Sequence, residues 1–311
     1  MGLLAVVRAH RIGVRAKRYA GSGDLEAAQR ELERAIAVAG DDNAQAIALR
    51  SNLVDVRRRL GDIDGARELG EHVAELAGRV LGEEHPLTLM AVNNLALTCQ
   101  AAGDLEAARS LHERELDACR RLRGPEHPET LTSMSNLAIC LYHLGDLDAA
   151  TDLLERVVAA SPAVRGADDP ATVVATDSLG AMVAAQGDLD RAARLHLEAY
   201  ETARRTLGTT HPITLDAAVN LATTQGAQGD LDGAYARLAE LLDTSRRTRG
   251  PAHPDTLRVQ ECLVEVLRRR GDLGAARDMS AELVAASAES LGSDHPSTRD
   301  RAATHGTLGD G

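Results

Sequence analysis

Five histidines stand directly before proline, at His85, His127, His211, His253 and His295, and this row of imidazoles is the first feature of the 311-residue sequence that could do chemistry. One zinc ion would need its nitrogens at about 2 Å, whereas neighbouring packed helices lie about 8–10 Å apart, so the row cannot share a ligand sphere. Where the series breaks, the substitute is Asp169 before Pro170. Asp, like a neutral imidazole, accepts a hydrogen bond ahead of a helix that opens with proline. The histidines are therefore read as helix caps, and no metal is expected. Cys99, Cys119, Cys140 and Cys262 show no Cys-x-x-Cys pairing and fall on helical stretches, where a free thiol behaves as a small apolar residue. His112-Glu113 lacks the second histidine of a zinc-protease helix, and no serine sits in a Gly-x-Ser-x-Gly elbow. Lys17 is the only lysine and Arg18 follows it, which excludes a P-loop and any Schiff-base lysine outside the N-terminal segment. The acid pairs Glu83-Glu84 and Asp168-Asp169 fall in loops or at helix starts, where carboxylates meet the positive end of the helix dipole. Tyr142-His143 is the one polar pair a catalytic reading would test. No catalytic residue and no cofactor is expected.

The histidines keep time with a second mark. Gly-Asp pairs begin at Gly23, Gly61, Gly103, Gly145, Gly187, Gly229 and Gly271, spaced by 38 once and then by 42. Between His85 and Gly103, Leu89, Val92, Leu95, Ala96 and Cys99 fall three or four apart and share one face of a first helix. Glycine ends it and Asp104 opens a second helix that runs to about Arg123 and the next recurring glycine, Gly124. Its inward face is set by an aliphatic slot (Leu25, Ile63, Leu105, Leu147, Leu189, Leu231, Leu273) and by a slot that is alanine in all seven units, from Ala28 to Ala276. A slot that admits only alanine marks two backbones in close approach. With no Phe, no Trp and four Tyr, the core must be Leu, Val, Ile and Ala.

The run Leu81-Gly82-Glu83-Glu84-His85-Pro86, then Asn93-Asn94-Leu95-Ala96, then Gly103-Asp104 and Ala108, resembles the 42-residue tetratricopeptide repeat of kinesin light chains and their bacterial relatives. The resemblance implies an all-α fold, an α-solenoid of antiparallel helical hairpins in a right-handed superhelix. The expected organisation is one solenoid: a degenerate first repeat at 1–40, six repeats at 41–82, 83–124, 125–166, 167–208, 209–250 and 251–292, and a truncated cap at 293–311. It also implies a groove lined by the first helices that takes up a peptide or a partner protein, as a scaffold or adaptor. The alternatives are a peptide sensor that changes solenoid pitch on binding and an enzyme that uses the groove.

Groove candidates follow from the exposed slots. Asn52, Asn94, Asn136 and Asn220 recur just before a leucine and are read as bridges between units. The preceding slot varies, through Ser51, Asn93, Ser135, Asp177, Val219 and Glu261, and of these only Asn93 matches the cargo-binding asparagines of the family. Met90, Leu97 and Gln100, then Thr132, Ile139, Tyr142 and His143, then Val174, Ala181 and Ala185 continue that face, with Arg58 and Arg59 towards one end and Arg258, Arg268 and Arg269 towards the other. An apolar middle with basic ends suits a peptide with a hydrophobic centre and acidic flanks. The lysines of a chaperone-binding carboxylate clamp are absent. Net charge is −12, yet residues 1–23 hold five basic residues and no acid, leaving −17 on the rest, so no nucleic-acid partner is expected. The apolar run from Gly2 to Val7 is too short for a leader or a membrane span, and a cytoplasmic, bacterial protein is the expectation. Residues 2–20 carry Leu4, Val7, Ile12, Ala16 and Tyr19 among their basic residues and are read as a helix docked on the next unit.

Overall fold

A computed structural model describes residues 3–21, 24–40 and 43–307. The described residues form helices only: α1 (Leu3–Gly21), α2 (Leu25–Ala39), α3 (Ala44–Arg59), α4 (Ile63–Leu81), α5 (Pro86–Ala101), α6 (Leu105–Arg123), α7 (Pro128–Leu144), α8 (Leu147–Val164), α9 (Pro170–Ala185), α10 (Leu189–Leu207), α11 (Pro212–Gln228), α12 (Leu231–Arg249), α13 (Pro254–Arg270), α14 (Leu273–Leu291) and α15 (Pro296–Thr307). The all-α tetratricopeptide architecture is as expected, with odd-numbered first helices and even-numbered second helices. Gly23, of the first Gly-Asp pair, lies outside the described residues.

The boundaries follow from capping. His85, His127, His211, His253 and His295 each accept, through Nδ1, the amide hydrogen two residues on, at 3.1–3.3 Å. Asp169 Oδ1 does the same for the Ala171 amide at 2.8 Å. The aspartates from Asp24 to Asp230 that follow the glycines cap the second helices, as Asp104 does for Ala107, a contact of about 1 kcal/mol, whereas Asp272 makes no such bond. A further tie runs from the second residue after the proline in four of the units: the hydroxyls of Thr88, Thr130, Thr172 and Thr214 donate at 2.8–2.9 Å to the carbonyls of Gly82, Gly124, Gly166 and Gly208. Those glycines have φ near +90° to +100°, a conformation that other residues avoid.

The contacts divide the chain into two compact units, Met1–Leu153 and Leu154–Gly311, the division falling within α8. In the first, each helix from α1 to α7 packs on the next, and α1 on α3 and α3 on α5 as well. In the second the same holds from α9 to α15, with α9 on α11 and α11 on α13. The alanine slot is sealed: Ala28, Ala66, Ala108, Ala150, Ala192, Ala234 and Ala276 all have 0% exposure. The aliphatic slot is not the core position it was read to be. Leu25, Ile63, Leu105, Leu147, Leu189 and Leu231 are half-buried and Leu273 is exposed, because the residue after the cap lies in the first turn, at the rim of the hairpin.

In α1, Ala9, Ile12 and Ala16 are buried against α2 and α3, and a Cβ on Gly13 would meet Leu49 at 2.9 Å. Val7 and Tyr19, placed in the packing set by the sequence pattern, are instead exposed; the side chain of Leu4 lies outside the described residues.

Candidate functional site

The first-helix faces are tied together by side-chain hydrogen bonds that reach one residue more than a repeat. In the first unit, Asn94 Nδ2 on α5 donates to the Ser51 carbonyl on α3 at 2.9 Å. Asn136 Nδ2 on α7 donates to Asn93 Oδ1 on α5 at the same distance. In the second unit, Asn220 Nδ2 on α11 donates to Asp177 Oδ2 on α9 at 2.8 Å. The asparagines therefore bridge units, and the slot before them supplies their acceptors. Asn93 and Asp177, candidates for reading a ligand, are engaged in this way, and Ser51 and Asp177 are buried.

In the first unit the face further presents Met90, Leu97 and Ile139, all half-buried, and Tyr142, whose ring meets that of His143 edge-on at 5.4 Å. Gln100 is half-buried with its Oε1 buried and without a partner. Ser135 and Thr132 turn their hydroxyls onto their own helix, to the carbonyls of Leu131 and Pro128.

The basic ends are not free charges. Arg58 pairs with Asp55 at 2.5 Å and Arg59 with the same carboxylate at 3.8 Å. Arg258 pairs with Asp216 and Arg268 with Glu265 at 2.7 Å, an exchange that holds the Glu265 carboxyl below its usual range and the Arg268 guanidinium above its own. Arg269 donates to the Gly226 carbonyl at 2.7 Å, and Glu261 meets Arg301 at 3.3 Å. Each was read without its neighbours because the partners sit three or four residues away on the same helix or 40–43 away on another.

The second unit holds a defined cavity of about 310 Å³ on its first-helix face. Val174, Asp177 and Ser178 of α9, Ile213, Asp216, Val219 and Asn220 of α11, and Arg258 of α13 line it. Val174, Asp177 and Arg258 are thus brought together, whereas Ala181 does not line this cavity, and Ile213 and Asp216 were missed. Behind the cavity, Asp177 Oδ1 lies 2.7 Å from Nδ1 of the fully buried His196 on α10. As a carboxylate, Asp177 accepts from both His196 and Asn220, which satisfies a charge that would otherwise be costly to bury. Room for the imidazole comes from Gly180, where a Cβ would meet the ring at 2.7 Å. The signal was legible only in part: glycine replaces the alanine of Ala96, Ala138 and Ala222 and histidine replaces the leucine of Leu154 and Leu238, but His112 fills the same histidine slot in a unit that keeps Ala96.

One buried grouping has the residue types of nucleophilic catalysis. Ser133 Oγ donates to Glu115 Oε1 at 2.9 Å and lies 3.6 Å from Cys119 Sγ. His112 is 3.7 Å from Glu115, and neither of its ring nitrogens has a partner. The serine is thus bonded to the acid and not to the base, and all four side chains are closed off from solvent, so the grouping is packing between α6 and α7. Burial pushes the thiols of Cys99, Cys119, Cys140 and Cys262 upward, away from the nucleophilic thiolate. Among the described residues no three His, Cys, Asp or Glu side chains gather as a metal site, and no helix is long and apolar enough to cross a membrane.

Tetratricopeptide repeat models match residues 44–118, 88–163 and 171–247, and a second model of that description matches 256–297. No curated protein matches the sequence. Among solved structures, BtubC (BKLC) from P. vanneervenii is similar with a TM-score of 0.58 and 21% identity, over 82% of this chain and 95% of that one. The quorum sensor NprR from B. thuringiensis, in its apo form, aligns with a TM-score of 0.61 and 13% identity, over 100% of this chain and 89% of its own. A Rap protein complexed with Competence and Sporulation Factor aligns with a TM-score of 0.57 and 14% identity, over 99% and 76%. At these identities the likeness is one of fold, and it agrees with the helical hairpins, the alanine seam and the matched repeats: the chain belongs to the tetratricopeptide repeat family.

Proposed function

We propose that this protein is a non-catalytic binding module that takes up a peptide or a segment of another protein along its first-helix faces. The observation that carries the reading is the cavity on α9, α11 and α13, where apolar Val174, Ile213 and Val219 stand beside Asp177, Asp216, Asn220 and Arg258. Walls that set a few apolar side chains among carboxylate, amide and guanidinium groups can engage both the side chains and the polar groups of a bound peptide. Residues Met90, Asn93, Leu97, Gln100, Thr132, Ser135, Ile139, Tyr142 and His143 would extend a ligand surface on the first unit, and Ala181, Glu261, Arg268 and Arg269 on the second. Arg58 and Arg59 would contribute only by exchanging Asp55 for a ligand carboxylate. Panning a random dodecapeptide phage library against the protein tests the reading. Enriched peptides should bind at least tenfold more weakly to a Val174→Arg variant; failure to enrich any sequence, or equal binding by the variant, would refute it.

A second reading, sensing, is favoured by one contact. Asp177 connects the cavity wall to buried His196, so a ligand that draws on this carboxylate would disturb packing between α9 and α10. The Rap protein complexed with Competence and Sporulation Factor and the quorum sensor NprR share the fold. Small-angle scattering that changes on saturation with an enriched peptide supports sensing, and an unchanged profile supports a passive adaptor.

A further inference from the structure

In register with the other first helices, α1 places Arg8, Arg11, Arg15 and Arg18 where α5 has Thr88, Ala91, Leu95 and Thr98, and where α11 has Thr214, Ala217, Leu221 and Thr224. In all six of the first helices from α3 to α13 these four slots are buried and carry no charge. They are the face on which the preceding second helix lies. Ala91 packs with Val73, Leu76 and Ala77 of α4, Leu95 meets Gly70 of α4, and Ala217 packs with Ala199 and Ala203 of α10. In α1 the same face is exposed, and no helix among the described residues covers it.

That face borders an open groove of about 1250 Å³ between α1 and α2, with Val7, Val14, Ala37 and Val38 between the arginines. Glu31, itself buried, pairs with Arg15 at 2.7 Å and Arg34 at 2.8 Å. Arg8, Arg11 and Arg18 have no acidic partner among the described residues. The charge is thus aligned along the helix and largely uncompensated.

We infer that the exposed face of α1 docks an acidic amphipathic helix of a partner protein, laid in the groove as the preceding second helix lies on every other first helix. A helix of that kind would set carboxylates at i, i+3, i+7 and i+10 along the row, three of them against the unpaired guanidinium forks of Arg8, Arg11 and Arg18, which bind carboxylates in bidentate pairs, and one beside Arg15, whose charge Glu31 already shares, with its apolar edge on Val7, Val14 and Val38. A lipid surface fits less well. The main apolar face of α1, Ala9, Ile12 and Ala16, is already spent on α2 and α3, and interfacial helices need that face free. The net −17 on the rest of the sequence disfavours nucleic acid. This surface is separate from the first-helix face of the second unit, so the two proposals stand or fall independently.

The probe is a fluorescein-labelled 19-residue synthetic amphipathic helix carrying four glutamates at that spacing beside a leucine stripe, with a glutamine-for-glutamate control, titrated by anisotropy. Saturable binding is expected, weakened at least tenfold in the control peptide and in Arg11→Glu/Arg18→Glu, and restored to the variant by a lysine-for-glutamate peptide. Arg11→Gln/Arg18→Gln serves if the reversed charges prevent folding, and should weaken binding in the same direction. Val174→Arg should leave it unchanged. The inference is overturned if the glutamate peptide does not bind, if glutamine and glutamate peptides bind equally, if both arginine variants bind like the parent, or if phosphatidylserine vesicles or duplex DNA bind more tightly than the peptide.

Discussion

The side chains that depart from the repeat are coupled to one another. Gly180 leaves the space that His196 fills, and His196 in turn satisfies Asp177. Gly180→Ala would add a methyl at van der Waals overlap with the ring, and the overpacking, about 1–3 kcal/mol, outweighs the gain of about 0.5–1 kcal/mol from replacing glycine in a helix. Chemical denaturation should show the single variant destabilised, and Gly180→Ala/His196→Leu should also stay below the parent, because removing the imidazole leaves the buried Asp177 carboxylate without one of its two partners. At the same scale the thiols are expected to be inert. Burial raises all four above the ordinary range, so the thiolate fraction at neutral pH is small and grows only as pH rises. Titration of the native protein with a disulfide reagent at pH 7 should be slow, with half-buried Cys262 reacting first, and faster at pH 9.

Each first helix owes its start to an acceptor ahead of proline, and this is a property of the element more than of imidazole. His127→Ala should cost about 0.5–2 kcal/mol, and His127→Asp should retain stability, because Asp169 performs the same task in the unit that lacks histidine. A change in midpoint that is equal for the two variants would contradict capping. Packing within hairpins is set by the alanine seam. Ala150 has no exposure at all, so Ala150→Leu should lower stability by about 1–3 kcal/mol in a denaturant titration.

In the molecule as a whole stability is distributed, since helices contact mainly their sequence neighbours, as expected of repeat arrays. Removing residues 1–21 would uncover Leu32, Ala35, Leu49 and Leu53, which share a cluster with Ala9, Ile12 and Ala16. The truncated protein should melt at a lower temperature and bind a dye for exposed apolar surface. A melting temperature equal to that of the full chain would show that α1 contributes no packing.

The repeat, the helix pairing, the caps and the alanine seam were all legible in the sequence, because each depends on residues within one unit and recurs often enough for its chemistry to be inferred. His85 and Asp169 share a slot and a lone pair, and that alone identified a cap. The asparagine bridges were legible as a role but not as a geometry, since the acceptor lies 43 residues back and one slot earlier. What only the tertiary structure decided concerns single exceptions and long-range partners. It engaged Asn93 and Asp177 in bridges, paired Arg258 with Asp216 and Arg269 with the Gly226 carbonyl, and turned the arginines of α1 outward onto a face that the first helices from α3 to α13 bury. A periodic pattern reports which face of a helix is buried on average, whereas whether a particular charge is spent depends on which side chain a different repeat brings within about 3 Å of it.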